Sequence, residues 1–193
     1  MSKGRLEAFT DGVMAIIITI MVLELRVPHG SDLAALRPVL PNFIIYTLSF
    51  IFLGIYWSNH HHLIQAVRHV NGRILWANLH LLFWLSLTPA TTAWIGETDF
   101  AELPVALYGV VLFLAGVAYY ILTRTLLTEH GRDSEIALAL GRDFKGKISI
   151  VFYVIGIAAA FWNPKVACGV YVFVAVWWLV PDRRFERTLA HKD

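Results

Sequence analysis

Apolar positions in this chain come in long unbroken runs. They neither alternate nor form one-sided stripes. From Gly12 the sequence reads Gly-Val-Met-Ala-Ile-Ile-Ile-Thr-Ile-Met-Val-Leu without a charge. A membrane-spanning helix needs roughly 20 mostly apolar residues. Six segments qualify: about 8–26, 40–64, 74–95, 104–127, 144–162 and 165–181. Continuous runs exclude the alternating strands of a membrane β-barrel. Asn163-Pro164 makes a tight turn between the fifth and sixth, and the fifth reaches full length only by taking in Phe144 and Lys147. The pattern predicts an all-α membrane protein, residues 1–193 forming one domain of six transmembrane helices. Pro89, within Leu87-Thr88-Pro89-Ala90-Thr91-Thr92, predicts a kink in the third helix, with threonine hydroxyls satisfying the freed carbonyls. The polar stretch 128–143 leaves room for one short helix at 134–140.

Composition agrees with that picture. Apolar residues make up 58% and charged residues 16%, with a mean hydropathy of +0.62, whereas a soluble domain carries roughly 25% charge. A formal charge of +2 is too small to point to nucleic acid. The lone cysteine, Cys168, excludes an intramolecular disulfide. Lys3 and Arg5 before an apolar core imitate a signal peptide, but Glu7 and Asp11 do not suit one. No small-residue cleavage site follows Leu25, so the segment reads as a retained helix.

Charge sets the orientation. With six spans both termini share one side, and that side collects 13 of the 16 Lys and Arg residues. The other side holds Arg26, Arg37 and Lys165. The excess of basic residues puts both termini in the cytoplasm.

The first helix carries the candidate chemistry. Arg5, Glu7 and Asp11 stand on its first turns, where charge at the edge of hydrocarbon is costly unless it is paired or reaches the interface. At 100° per residue Asp11 points about 120° from Arg5, so the two do not pair easily. Partners are available at that depth. The second helix ends Tyr56-Trp57-Ser58-Asn59-His60-His61-His62, and the third soon meets Asn78, His80 and Trp84. Two readings stand: a buried polar network joining helices one to three, or an Arg5 that snorkels to lipid phosphate while Asp11 caps or solvates the helix start. Higher on the helix, Gly12, Ile16, Thr19, Ile20 and Leu23 share one face, with Met14, Ile18, Met21 and Leu25 opposite.

The stretch Arg5-x-x-x-Phe9-Thr10-Asp11 resembles the Arg-x-x-x-Phe-Ser-Asp signature of the transmembrane protein 175 family, with Thr10 keeping the hydroxyl of the serine. The six-helix length, Trp57…His60-His61 and Asn78-Leu79-His80 are similar too, and the likeness covers nearly the whole chain. The family comprises potassium-permeable channels. Animal members carry two six-helix repeats and prokaryotic members one, assembled as tetramers. The resemblance implies a homotetramer in a prokaryotic cell membrane, with the first helices lining the pore. It implies that Ile16 forms an apolar constriction, Thr19 a selectivity position and Leu23 a further ring, with Ile20 on the same face. It also implies that Arg5, Phe9, Thr10, Asp11, Trp57, His60, His61, Asn78 and His80 pack the helix against its neighbours. The permeant ion would be potassium, and no cofactor is expected.

No Thr-Val-Gly-Tyr-Gly filter occurs in the chain. A ring of Ile16 side chains would make a dry neck, where an ion loses hydration and gains no ligand. Potassium sheds water more readily than sodium, and Thr19 hydroxyls would add oxygen contacts. Ordinary lipid-facing or packing positions are the plain reading of the same residues. His60, His61, His62, His69 and His80 invite a metal or haem site, but three consecutive histidines point three ways, so none is expected. No nucleophile–base pair or phosphate loop argues for an enzyme. A secondary transporter is the other class consistent with a broken third helix.

Overall fold

In the computed structural model, residues 2–131 and 144–179 are described, without the side chain of residue 144. They contain α1 (Lys3–Leu23), a 3-10 turn (Leu33–Val39), α2 (Leu40–Gln65), α3 (Gly72–Ser86), α4 (Thr88–Glu97), α5 (Glu102–His130), α6 (Phe144–Ala160) and α7 (Pro164–Leu179). No strand occurs among them. The short helix expected at 134–140 lies outside the described residues.

Helices α1, α2 and α5 are each long and apolar enough to cross a membrane, α2 together with the 3-10 turn before it. Helices α3 and α4 together make one span, broken at Leu87 where Pro89 enters the first turn of α4. Proline cannot donate to a carbonyl one turn back, and it disfavours helical backbone in the residue before it. The carbonyl that Pro89 leaves without its amide is that of Leu85, and the Leu87 N–H takes it rather than a threonine hydroxyl. The Thr91 hydroxyl reaches the carbonyls of Leu87 at 3.3 Å and Thr88 at 3.1 Å. Helix α1 starts earlier than the run 8–26 and ends at Leu23, so the charged signature lies within the helix.

Contacts between helix ends fix the topology. Lys3 Nζ donates to the Gln65 carbonyl at 2.6 Å, so the start of α1 meets the end of α2. Asn71 and Arg73 reach Glu129, joining the start of α3 to the end of α5. Trp178 Nε1 donates to Ser149 Oγ at 2.8 Å, joining the end of α7 to the start of α6. At the far end Arg26 pairs with Glu97 at 3.0 Å. The six crossings alternate, and the first and last return to one side.

Two cores hold the bundle. Leu6, Met14, Leu53, Ile64, Leu81, Ala118 and Leu122 join α1, α2, α3 and α5. Ile45, Phe52, Ile95, Tyr108, Tyr153, Ala167 and Tyr171 join α2 with α4 to α7. Lipid removes most of the hydrophobic drive between helices, so close packing of small residues takes over. Tyr171 shows this. Its ring lies against Gly109 of α5 and Gly156 of α6, where a Cβ would collide with it. Its hydroxyl reaches the Val105 carbonyl at 3.4 Å.

Candidate functional site: the first helix and its anchors

Helix α1 has two faces. Leu6, Thr10, Met14, Ile17 and Met21 follow a 4-4-3-4 spacing and are buried against the rest of the chain. Gly12, Ile16, Thr19, Ile20 and Leu23 are exposed, Ile16 at 59% and Leu23 at 80%. Both faces follow from 3.6 residues per turn. Ile18, expected opposite the exposed face, is only partly buried, and Ile17 is the buried isoleucine. The Thr19 hydroxyl donates to its own helix at Ile16 O, 2.8 Å away. Its donor is therefore spent inside the helix and its oxygen lone pairs face outward.

The buried face carries one polar residue, Thr10, and it is bridged to two other helices. Asn78 Nδ2 of α3 donates to Thr10 Oγ1 at 2.9 Å. Asn78 Oδ1 lies 2.7 Å from His60 Nε2 of α2. With the amide nitrogen committed to threonine, Asn78 accepts from histidine, so His60 Nε2 carries the hydrogen. All three residues are buried. The chain Thr10–Asn78–His60 thus ties helices one, two and three together through buried hydrogen bonds, and it is costly to break.

Asp11 is held at the edge of this network. Trp57 Nε1 donates to its Oδ1 at 2.9 Å. His61 stacks on Trp57 with centroids 6.1 Å apart and planes 20° apart, and its Nε2 accepts from Gln65 Nε2 at 2.8 Å. Phe9 is on the exposed side, at 51%.

Two expected members lie elsewhere. Arg5 is exposed and has no hydrogen bond or ion pair among the described residues. His80 accepts from Trp84 on its own helix at 2.9 Å and faces outward. Asn78 and His80 stand two residues apart, about 200° around a helix, so they face opposite ways. His60, His61 and His80 thus go to separate partners, and among the described residues no group of three His, Cys, Asp or Glu is placed to hold a metal.

A second polar cluster was not anticipated. Ser49 Oγ lies 2.7 Å from Thr92 Oγ1 and 3.1 Å from Tyr108 Oη. It ties α2, α4 and α5 in the other half of the bundle. Its traces in the sequence were Ser49 within an apolar run and the Thr92 hydroxyl, whose partner the sequence did not show. Lys3, which pins the start of α1, gave no signal beyond its charge.

The sequence and the fold both have counterparts among known proteins. A profile of the family described as "Endosomal/lysosomal potassium channel TMEM175" matches residues 5–89. A potassium channel of Chryseobacterium sp. (strain P1-3) is 58% identical over 98% of each chain. The "Endosomal/lysosomal proton channel TMEM175" of Gallus gallus is 30% identical across 69% of this chain and 30% of its own. Among solved structures, a crystal structure titled as a lysosomal potassium-selective channel TMEM175 homolog from Chamaesiphon minutus superposes with a TM-score of 0.78. At 24% identity it covers 92% of this chain and 96% of that one.

Proposed function

The chain belongs to the TMEM175 family of ion channels, and we propose that it is a potassium-permeable cation channel whose pore is lined by α1 from four copies. The observation that carries this reading is the exposed face Gly12–Ile16–Thr19–Ile20–Leu23 on a helix whose opposite face is anchored. A pore-lining helix needs one face free and the other fixed.

Four copies around an axis would bring Ile16 side chains to a narrow apolar neck and Leu23 to a second ring. An ion entering such a neck sheds water without gaining ligands, so conduction requires the neck to widen. Between the rings Thr19 would present oxygen lone pairs toward the axis, where they suit a partly dehydrated cation. Five acidic residues, Glu24, Asp32, Glu97, Asp99 and Glu102, gather at the end away from the termini. Against Arg26, which pairs with Glu97, and Arg37 and Lys165 on the same side, they leave a small negative excess that would modestly raise the local cation concentration at that mouth. The excess of basic residues at the other end supports termini in the cytoplasm of a prokaryotic cell.

The test is flux through liposomes containing the purified protein. Ile16→Asn wets the neck and should raise cation leak above wild type. Equal flux for the two proteins overturns Ile16 as the constriction and moves attention to Leu23. The break at Leu87 favours a transporter as the second reading. Stepwise single-molecule currents in a planar bilayer separate the two, since a carrier gives none.

A further inference from the structure

Helix α5 has 29 residues, about 44 Å at 1.5 Å per residue, against a hydrocarbon layer of roughly 30 Å. From Glu102 to Arg124 is 22 residues, or about 33 Å. Arg124 therefore stands at headgroup depth when Glu102 stands at the opposite interface. It lines a groove of about 270 Å³ between α3 and α5. Its guanidinium is exposed and has no hydrogen bond or ion pair among the described residues. Arg73, at the start of α3, faces it across the groove. Glu129, held by Asn71 Nδ2 at 2.6 Å, accepts from Arg73 at 3.4 Å, which leaves most of the Arg73 donors free.

We propose that this groove binds the phosphate of an anionic phospholipid in the leaflet on the side of the termini. Two guanidinium groups against one carboxylate leave a net positive charge, which attracts a phosphodiester monoanion. Thr125 and Thr128 lie beside them with hydroxyls that donate to Ile121 O at 2.8 Å and Arg124 O at 2.9 Å. Their lone pairs are left to accept from a polyol headgroup. Toward the hydrocarbon, Tyr120 and the exposed Ile121 supply an apolar wall for an acyl chain. A phosphate bearing glycerol and a chain satisfies all of these surfaces. A choline headgroup brings a second cation and no hydroxyl donor.

This site goes beyond the pore, and its test does not use conduction. Protein in an uncharged detergent is melted with dihexanoyl phosphatidylglycerol, dihexanoyl phosphatidylcholine or inorganic phosphate. Phosphatidylglycerol should raise the melting temperature saturably, the choline lipid should not, and inorganic phosphate should need at least about tenfold more to half-saturate. Arg124→Gln and Arg73→Gln should each raise the half-saturating phosphatidylglycerol concentration about tenfold, the loss expected for one charge-assisted hydrogen bond. Lys165→Gln, at the opposite end, should leave it unchanged. Glu129→Gln removes the opposing charge and should lower it, a sign that a merely structural role does not produce. Equal responses to the two lipids, or wild-type saturation in both arginine variants, overturn the proposal. Inorganic phosphate as effective as the lipid overturns it in favour of a free-anion site.

Discussion

At the scale of single residues, Thr10 matters more to the fold than the charges on either side of it. Thr10→Val strands the buried Asn78 amide donor and should cost about 1–3 kcal/mol in the melting of the purified protein. Pairing it with Asn78→Leu should cost less than the two losses summed, because both partners then go together. Additive losses would mean that the two groups do not share a bond. Arg5→Ala, at an exposed position, should change stability by no more than about 0–1 kcal/mol. A loss matching that of Thr10→Val would show that another copy supplies Arg5 with a partner. Thr19→Val keeps the shape and deletes the outward oxygen, so the potassium-over-sodium preference should fall. Bi-ionic reversal potentials measure it, and an unchanged potential would leave selectivity to the width of the neck. The sequence allowed much of this network to be read, because Trp57, His60 and Asn78 lie at the depth of Thr10 and Asp11. It did not show which of them meets which. Helical angles place Asn78 and His80 on opposite faces, but only the packing of α3 against α1 decides which face turns inward. The spacing Leu6–Thr10–Met14–Ile17 did hold the information that Thr10 belongs to the buried side.

At the scale of elements, the first helix divides its neighbours' interests. Its anchored side tolerates no polar insertion. Ile17→Asn buries an unpaired amide and should abolish expression of folded protein, whereas Ile16→Asn one residue earlier should fold. Comparable yields of the two by size-exclusion profile would erase the distinction between the faces. The Tyr171 cradle gives a second element-scale expectation. Gly109→Ala and Gly156→Ala each drive a methyl group into a buried ring and should destabilise by about 1–3 kcal/mol or more, while Gly12→Ala, with open space around it, should melt like wild type. The existence and order of the helices were plain from apolar runs. Their ends were less so. The run 8–26 missed the start of α1 because polar residues at an interface remain helical, and the third run concealed two helices because hydropathy does not register a missing backbone donor at Pro89.

At the scale of the whole molecule, one chain leaves the exposed face of α1 without a partner. Crosslinking in detergent should give a four-chain species as its largest product, and products stopping at dimers would contradict the proposed axis. What hydropathy conveyed was the number of crossings. What it did not convey was assembly, because a face that meets a pore, a lipid or a neighbour is apolar in all three cases.

The alternating crossings return the last described helix to the side from which the first one starts. Two copies can therefore be translated as one polypeptide through a short hydrophilic tether that never enters the bilayer. About 30 glycine and serine residues would span roughly 30 Å on average. Such a fusion permits unequal dosing. Ile16→Asn in one half alone would give assemblies with two altered and two native neck residues. Their leak, set beside that of the uniform variants, would report whether the constriction yields one side chain at a time or all at once.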